Sequence, residues 1–214
     1  MAKHNMPSRT GAPPRRRQGE GSTTIAVDVK TFMSTDGRTV TNLGANLAGA
    51  SVPDRKYVAD ACAVSYQRDT VKIIFAQEKF DGKGLRSAIV IHMTPRAVVQ
   101  MLGVFDGPLH QIFEENARSE GIAPEQISTF ESEPQQVAAL SANLAIGAAA
   151  GREACLDFYQ ASPFSFSIAA QSRKLDLDGV VRVELSTALL LGLLGSLREL
   201  MSRFPDIKIW KPAT

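Results

Sequence analysis

The sequence is poor in the residues that most often carry chemistry. Its 214 residues include only two cysteines and three histidines. None of them stands in a C-x-x-C or H-E-x-x-H motif, and no Walker sequence occurs. We therefore expect no catalytic residue, no metal site and no cofactor. The expected class is a non-enzymatic binding protein.

The few cysteines and histidines are best interpreted as structural residues. His4 precedes the predicted folded region, His92 lies in a predicted strand, and His110 follows a predicted helix break. No acidic residue accompanies them at the spacing of a metal site or a catalytic triad. Cys62 and Cys155 both fall in strand-like runs. A disulfide between them is possible, but free thiols in a reducing compartment are favoured.

Long hydrophobic segments are also missing. The longest nearly apolar stretch, residues 188–194, is far shorter than the roughly 18 to 20 residues that span a membrane. The N-terminus lacks the apolar region of a secretory signal. These features predict a soluble cytoplasmic protein with no membrane partner.

Charge is unevenly distributed along the chain. The net charge is +2, of which residues 1–24 contribute +4, from five basic side chains and one acidic one. These are Lys3, Arg9, Arg15, Arg16, Arg17 and Glu20. Residues 1–24 are otherwise rich in Pro, Gly and Ser, so we expect a disordered basic arm. The rest of the chain carries −2, which argues against a dedicated nucleic-acid-binding fold.

Parts of the sequence occur twice. Ala61-Cys62, Tyr66-Gln67, Ala76, Val90 and Thr94 recur as Ala154-Cys155, Tyr159-Gln160, Ala169, Val183 and Thr187, 93 residues later in each case (61 to 154, 94 to 187). The pattern Leu-x-Ala-Asn-Leu-Ala of residues 43–48 recurs at 140–145, at an offset of 97 (43 to 140). A tandem duplication that forms one continuous core explains such repetition. It predicts that Cys62 and Cys155 occupy equivalent strand positions.

Hydrophobic periodicity predicts the same order of elements in both copies. In the first copy the predicted strands are Tyr57–Tyr66, Thr70–Phe80 and Leu85–Met93, with a turn at Asp81-Gly82 and a helix that starts at Thr94-Pro95 and breaks at Gly107-Pro108. In the second copy they are Cys155–Gln160, Phe164–Gln171 and Val180–Leu185, with a turn at Asp178-Gly179, a helix that starts at Ser186-Thr187, and a short final strand at Ile207 and Ile209. A further strand is expected over residues 25–33, whereas residues 43–48 remain ambiguous between strand and helix.

These elements predict an α+β fold. Each copy is an antiparallel meander followed by a helix, and the two copies are related by pseudo-twofold symmetry. We divide the chain into a basic arm (1–24), a first repeat (25–118), an acidic linker (119–135) and a second repeat (136–214). The last helix has a broad apolar face, which predicts burial on more than one side. Its Gly192 and Gly195 are expected to face a packed neighbour.

Two groups of residues are candidate binding sites. Phe158, Tyr159, Phe164 and Phe166 form an aromatic cluster in the second copy that is interpreted as a partner-binding surface. A basic group is interpreted as an anion-binding surface. It consists of Arg15, Arg16 and Arg17 in the arm, and Lys72, Lys79, Lys83 and Arg86 around the hairpin of the first copy.

The stretch from Arg86 to Thr94-Pro95, leading to Met101-Leu102, resembles a small bacterial family of domains of unknown function. Members of that family pair an extended hairpin with the junction R-x-x-M-(S/T)-P-x-x-A-x-x-L-L. Val98 stands where the family usually has alanine, and the second copy keeps only Thr187 of Met-Thr-Pro. The similarity covers about 45 residues of the first copy. Because Met-Thr-Pro is a helix-start signal, it indicates fold more than activity.

The meander-plus-helix layout also resembles two known folds. One is the fold of the SecB export chaperone, whose sheet and helices line grooves for non-native chains. The other is the whirly fold, a tandem of four strands and a helix that binds single-stranded DNA. The SecB resemblance implies a homo-oligomeric module that holds a polypeptide or an assembly partner through apolar surface, which is our first hypothesis. The alternative is a whirly-like protein that binds single-stranded nucleic acid through the basic arm and the first-copy hairpin.

Overall fold

Two β-sheets and four α-helices make up the described part of a computed structural model of the chain, which covers residues 22–33, 37, 39–106, 108–127 and 136–204. The fold is mixed α+β, as predicted. The ten strands are β1 (Ser22–Met33), β2 (Thr39–Ala45), β3 (Lys56–Val58), β4 (Ala61–Gln67), β5 (Thr70–Glu78), β6 (Leu85–Met93), β7 (Gln136–Ser141), β8 (Leu144–Ala150), β9 (Glu153–Gln160) and β10 (Lys174–Ser186). The helices are α1 (Pro95–Phe105), α2 (Pro108–Ser119), α3 (Pro163–Ser172) and α4 (Thr187–Ser202), and a 3-10 turn covers Leu47–Gly49.

The first sheet has the strand order β4-β5-β6-β7. Its first three strands form an antiparallel meander, and β7 joins β6 in parallel. Arg68 and Asp69 both have positive φ, 51° and 58°, and make the two-residue turn between β4 and β5, the conformation that favours a tight hairpin. The predicted turn at Asp81-Gly82 is confirmed, with Gly82 at φ 67°.

The second sheet has the strand order β2-β1-β10-β9-β8, and β3 also pairs with β10. The pairs β8–β9 and β9–β10 are antiparallel, whereas β3 lies parallel to β10. Strand β1 pairs with the first part of β10, from Ser22 opposite Asp178 to Ala26 opposite Lys174. The hairpin β1–β2 therefore extends the sheet of the second half of the chain.

Helices α1 and α4 pack between the two sheets in the main hydrophobic core. Thr94 begins α1 and accepts a hydrogen bond from the N–H of Ala97, and Ser186 begins α4 and accepts one from the N–H of Leu189. Both predicted helix starts are thus confirmed. The fully buried leucines of α4 contact both sheets' core residues, which agrees with its broad apolar face. They are Leu190, Leu193, Leu194 and Leu197.

The predicted strand Phe164–Gln171 is wrong. These residues belong to helix α3, for which Ser162 is the N-cap and Pro163 the first helical residue. The signal is the same Ser/Thr-Pro pair that starts α1, and it outweighs the aromatic alternation that suggested a strand.

The predicted turn at Asp178-Gly179 is also wrong. Both residues lie inside β10, where the register with β9 shifts between Gly179 and Val181. Such a β-bulge reverses the side-chain alternation. Leu175 and Leu177 consequently enter a second, smaller core, while Val181 and the residues after it face the main core.

The predicted strand Tyr57–Tyr66 is two strands in different sheets. The break falls at Ala59 and Asp60, between β3 and β4. The N–H of Ala59 donates to the Glu184 carbonyl in the second sheet, and the N–H of Asp60 donates to the Ala76 carbonyl in the first. The backbone thus leaves the second sheet and enters the first within two residues. The alternation of apolar and polar residues does not reveal such a change of sheet.

Two of the predicted repeat alignments are wrong. Cys62 lies in β4, the first strand of its meander, and Cys155 lies in β9, the second strand of the β8–β9–β10 meander. An offset of 93 therefore does not place the cysteines at equivalent positions. Residues 43–48 end β2 and form the 3-10 turn, whereas residues 140–145 join β7 to β8.

The predicted domain limits need two corrections. Strand β1 starts at Ser22, inside the range predicted as the arm, and residues 25–33 pair in part with the second repeat. The expected linker begins where α2 ends, at Ser119, and β7 begins at Gln136. Residues 1–21 and 205–214, with the final strand predicted at Ile207 and Ile209, lie outside the described residues.

Candidate functional site

The outer face of the second sheet, away from α1 and α4, carries rows of facing side chains. Leu156, Phe158 and Val183 point into the main core. Because side chains alternate along a strand, their neighbours point outward. The strand register places one outward row across four strands, in the order Val58, Glu184, Cys155 and Ala148.

A cavity of about 820 Å³ lies over this row. We call it the trough. Its floor combines the small or apolar side chains of Val58, Cys155 and Ala148 with the carboxylate of Glu184. The residues that line it include Val58, Asp60, Ala148, Arg152, Glu153, Cys155, Arg182 and Glu184. Because alanines occupy so much of β8, the surface is concave at that side and an extended chain could approach the sheet closely.

An ion pair closes one end of the trough. Arg182 donates from Nε and Nη2 to the two carboxylate oxygens of Asp157, each at 2.7 Å. The Asp157 side chain is 9% exposed and that of Arg182 24%. The hydrogen bonds to Asp157 raise the pKa of Arg182, although burial opposes this. The two-pronged contact fixes the guanidinium and therefore gives the trough a rigid wall.

Beyond the ion pair, the same face is covered. Tyr159 is buried in the smaller core with residues of β1, α3 and β10. Its hydroxyl donates to the carbonyl of Ser51 at 3.1 Å, and burial raises its pKa to about 12. The segment that precedes β3 is thus held across the sheet. The trough is the part of the outer face that this segment leaves open.

Charges of both signs surround the trough. Asp60 and Glu153 are exposed on one side, and Arg152 is exposed at the hairpin between β8 and β9. The Glu184 Oε1 lies 3.8 Å from the Lys56 Nζ. A rim with both signs suits a zwitterionic or polypeptide ligand better than a chain of phosphates.

In the part of the chain that the structure describes, no group of three or more His, Cys, Asp or Glu side chains could hold a metal ion. Cys155 is a free thiol, as is Cys62, so both agree with the favoured prediction. What the site offers is apolar surface, hydrogen-bonding side chains and paired charges, which are means of binding.

The predicted aromatic cluster is wrong as a single exposed surface. Phe158 and Tyr159 are adjacent in β9, so their side chains enter different cores, and both are buried. Phe166 packs partly against the smaller core. Phe164 on α3 is 72% exposed and is the one ring of the four that a partner could reach freely.

The predicted basic group is separated in the structure. Lys79, Lys83 and Arg86 lie at the turn between β5 and β6, whereas Lys72 lies toward the opposite end of β5. There its Nζ donates to Gln67 Oε1 at 2.8 Å. The separation arises because an extended strand advances about 3.3 Å per residue. Arg15, Arg16 and Arg17 lie outside the described residues.

Sequence reasoning missed the trough itself. The alternation within β9 and β10 could have identified Cys155, Asp157, Arg182 and Glu184 as one outward face. It could not have placed Val58 beside them, because that contact depends on the parallel pairing of β3 with β10.

Comparisons with known proteins provide no relative from which the site could be interpreted. Neither the protein-family models, nor the curated proteins, nor the solved structures include a match to this chain. Within the described residues, the helices are too short or too polar for any of them to cross a membrane.

Proposed function

We propose that the protein is a non-enzymatic binding protein, a SecB-like module that holds an extended polypeptide segment in the trough. The observation that carries this proposal is the concave row of Val58, Glu184, Cys155 and Ala148, in which apolar or small side chains flank one carboxylate, between rims of both charge signs. An extended polypeptide presents apolar side chains and backbone polar groups together. The trough offers apolar surface for the side chains and charged side chains for the polar groups.

We further propose that the architecture is a tandem repeat with pseudo-twofold symmetry, at an offset different from the one predicted. Asp60 accepts a hydrogen bond from the N–H of Glu78 through its carboxylate. Asn143 accepts one from the N–H of Ala161 through its side-chain oxygen. Both residues of the second pair lie 83 positions after those of the first (60 to 143, 78 to 161).

The strands that pair with the other half of the chain, β3 and β7, support the same offset of 83 residues. Ala59 donates its N–H to the Glu184 carbonyl, and Ala142 donates its N–H to the His92 carbonyl. Ala59 and Ala142 are again 83 residues apart, and His92 and Glu184 are 92 apart. The offset grows by nine because α3 replaces the short turn between β5 and β6. In this arrangement β3 of one repeat pairs with β10 of the other, and β7 pairs with β6.

The symmetry relates a charged outer face to an apolar one. Arg182 and Asp157 correspond to Val90 and Ile74 on the first sheet, through the same offsets of 92 and 83. A protein that holds chains with both apolar and charged segments can use two such faces. The trough remains the site that we assign, because it is a concave cavity lined by Val58, Cys155 and Arg182.

The test is binding of a fluorescent, permanently unfolded polypeptide, measured by polarisation across a salt series. Val58→Asp should weaken binding about tenfold, since burial of a valine is worth about 1.5 kcal/mol. Val137→Asp is the matched control, because Val137 is 59% exposed on β7 and Val58 is 51% exposed on β3. Equal affinity of the two variants, or no binding by the wild type, would refute the proposal.

A labelled single-stranded oligonucleotide is the second ligand in that experiment. We expect weak binding that disappears with rising salt, because residues 22–214 carry −2. Tight oligonucleotide binding at physiological salt by a variant without residues 1–21 would instead support the whirly-like alternative.

A further inference from the structure

Strand β8 forms one end of the second sheet and borders the trough. No further strand lies beyond it among the described residues. Its residues 147–150 are exposed or partly exposed, and Ala148, Ala149 and Ala150 all line the trough. Because the side chain of Ala149 packs against the main core, the part of this residue that faces the trough is its main chain.

The hairpin turn between β8 and β9 determines which backbone groups of β8 are already paired. Gly151 and Arg152 form a two-residue turn between Ala150 and Glu153, which lie opposite each other. Such a turn closes on a hydrogen bond between the two residues that flank it. Bonded and non-bonded pairs alternate from there along an antiparallel ladder. Ala150 and Ala148 therefore bond to β9.

Gly147 and Ala149 have the other orientation. Their pairs with β9 are the non-bonded ones, so their N–H and C=O groups point away from β9, toward the edge of the sheet. No hydrogen bond to another described residue uses these groups. Each residue therefore offers one donor and one acceptor at the side of the trough.

Strand β8 also lacks the features that usually protect the edge of a sheet. Natural sheets block such edges with charged residues, proline or bulges, which hinder pairing with another chain. The sequence of β8, Leu144-Ala-Ile-Gly-Ala-Ala-Ala150, has no charge and no proline, and its pairing with β9 runs without a register shift. The edge is therefore suited to accept a further strand.

We propose that the polypeptide held in the trough pairs with β8 as an added strand, through the backbone groups of Gly147 and Ala149. This inference rests on the proposed function and names the means of recognition, which is the main chain of the ligand more than its sequence. The ligand class is an extended segment whose own amide protons are unpaired. A helix has no such amides to offer, and proline has none at all.

The pairing also fixes where the side chains of the ligand lie. Along an added strand every second side chain shares the outer face of the sheet with Ala148 and Ala150. The part of the ligand that follows the paired strand lies across the floor of the trough, toward Cys155 and Val58. Strand pairing and floor contacts therefore act on the same ligand.

Amide hydrogen exchange followed by NMR tests the pairing within one strand. In the protein alone, the amide protons of Ala148 and Ala150 should exchange slowly and those of Gly147 and Ala149 fast. A saturating amount of the permanently unfolded polypeptide should slow exchange at Gly147 and Ala149 by about tenfold or more, with Ala148 and Ala150 as internal controls. Unchanged exchange at Gly147 and Ala149, while polarisation shows binding, would overturn strand addition and leave the proposed function standing.

N-methylated peptides test the same contact from the side of the ligand. Two isomers of one short peptide of alternating apolar and polar residues carry N-methyl groups on the odd or on the even residues. Because a strand added to one edge uses the amides on one side only, one isomer should bind about tenfold more weakly than the other. Equal affinities of the two isomers would overturn the inference. No binding of the parent peptide or of the unfolded polypeptide would refute the proposed function, and this inference with it.

A dilution series separates a ligand strand from a second copy of the chain. We expect the fast exchange of Gly147 and Ala149 in the protein alone to be independent of protein concentration. Protection of these two amides without ligand that disappears on dilution would assign the edge of β8 to a second copy and would overturn the proposal.

Discussion

The rings of Phe75 and Phe158 meet edge to face between the two sheets, with centroids 5.9 Å apart and planes at 62°. Phe75 lies in β5 and Phe158 in β9, and both are fully buried. They are 83 residues apart, so under the proposed duplication they are equivalent residues in contact with each other. The contact joins the two halves of the chain at the centre of the core.

Phe158 is buried in this contact, whereas Phe164 is exposed, so the two rings should contribute differently to stability. Phe158→Ala should lower the free energy of unfolding by about 3–5 kcal/mol, because it removes a buried ring and leaves a cavity. Phe164→Ala should change it by less than about 0.5 kcal/mol. Urea denaturation followed by circular dichroism measures both. Similar losses in the two variants would contradict the assignment of Phe158 to the core.

The two cysteines should differ in reactivity. Cys62 is 1% exposed, and burial raises its pKa to about 12, with a smaller effect from the carboxylate of Glu125. Cys155 is partly exposed in the trough. At pH 8 a thiol reagent should therefore modify Cys155 rapidly and Cys62 only when the protein unfolds.

Single substitutions assign the two reactions. Cys155→Ser should abolish the fast reaction, and Cys62→Ser should leave it intact. The raised pKa also has a consequence for stability. Because the unfolded thiol ionises near pH 9 and the folded one near pH 12, the stability due to neutral Cys62 is complete below pH 9 and is lost as pH rises toward 12. Cys62→Ser should reduce that alkaline loss.

The two glycines of α4 provide a matched pair. We expected both to face a packed neighbour, and the structure corrects this for Gly195, which opens on free space. A side chain at Gly192 would overlap the carbonyl of Glu125, in the segment that crosses α4. Gly192→Ala should therefore destabilise the protein by about 1–3 kcal/mol.

Gly195→Ala should have the opposite sign. It should stabilise the helix by up to about 1 kcal/mol, because alanine loses less backbone entropy than glycine. Thermal melts of the two variants check both signs at once. Destabilisation by Gly195→Ala would show that a neighbour occupies the space above it.

Removal of residues 1–21 tests the basic arm. The segment contains almost no apolar residue after Met6, so its deletion should leave the melting temperature unchanged. If these cations bind single-stranded nucleic acid, deletion should make the slope of log affinity against log salt shallower, by at most about 0.7 for each lost contact. Polypeptide binding should survive the deletion and depend little on salt.

Short-range sequence signals, such as helix caps and turn residues, predicted local structure well. Thr94-Pro95 and Ser186-Thr187 start helices, Asp81-Gly82 makes a turn, and α1 ends at Phe105 before α2 begins at Pro108. Each of these outcomes depends on interactions within about four residues, so the tertiary structure had little influence on them. Phe164–Gln171 forms a helix instead of the predicted strand because the cap at Ser162 outweighs the aromatic alternation.

Longer-range features were decided by the tertiary structure. Similar dipeptides recur 93 residues apart in the sequence, but they lie in β4 and β9, which hold different positions in their meanders. The pairing of β3 with β10 and the bulge at Gly179 join or reorient residues through contacts across the fold. A strand segment can satisfy its backbone hydrogen bonds with any compatible neighbour. Only burial of the whole core selects which one, and that selection places Val58, Cys155 and Arg182 around one trough.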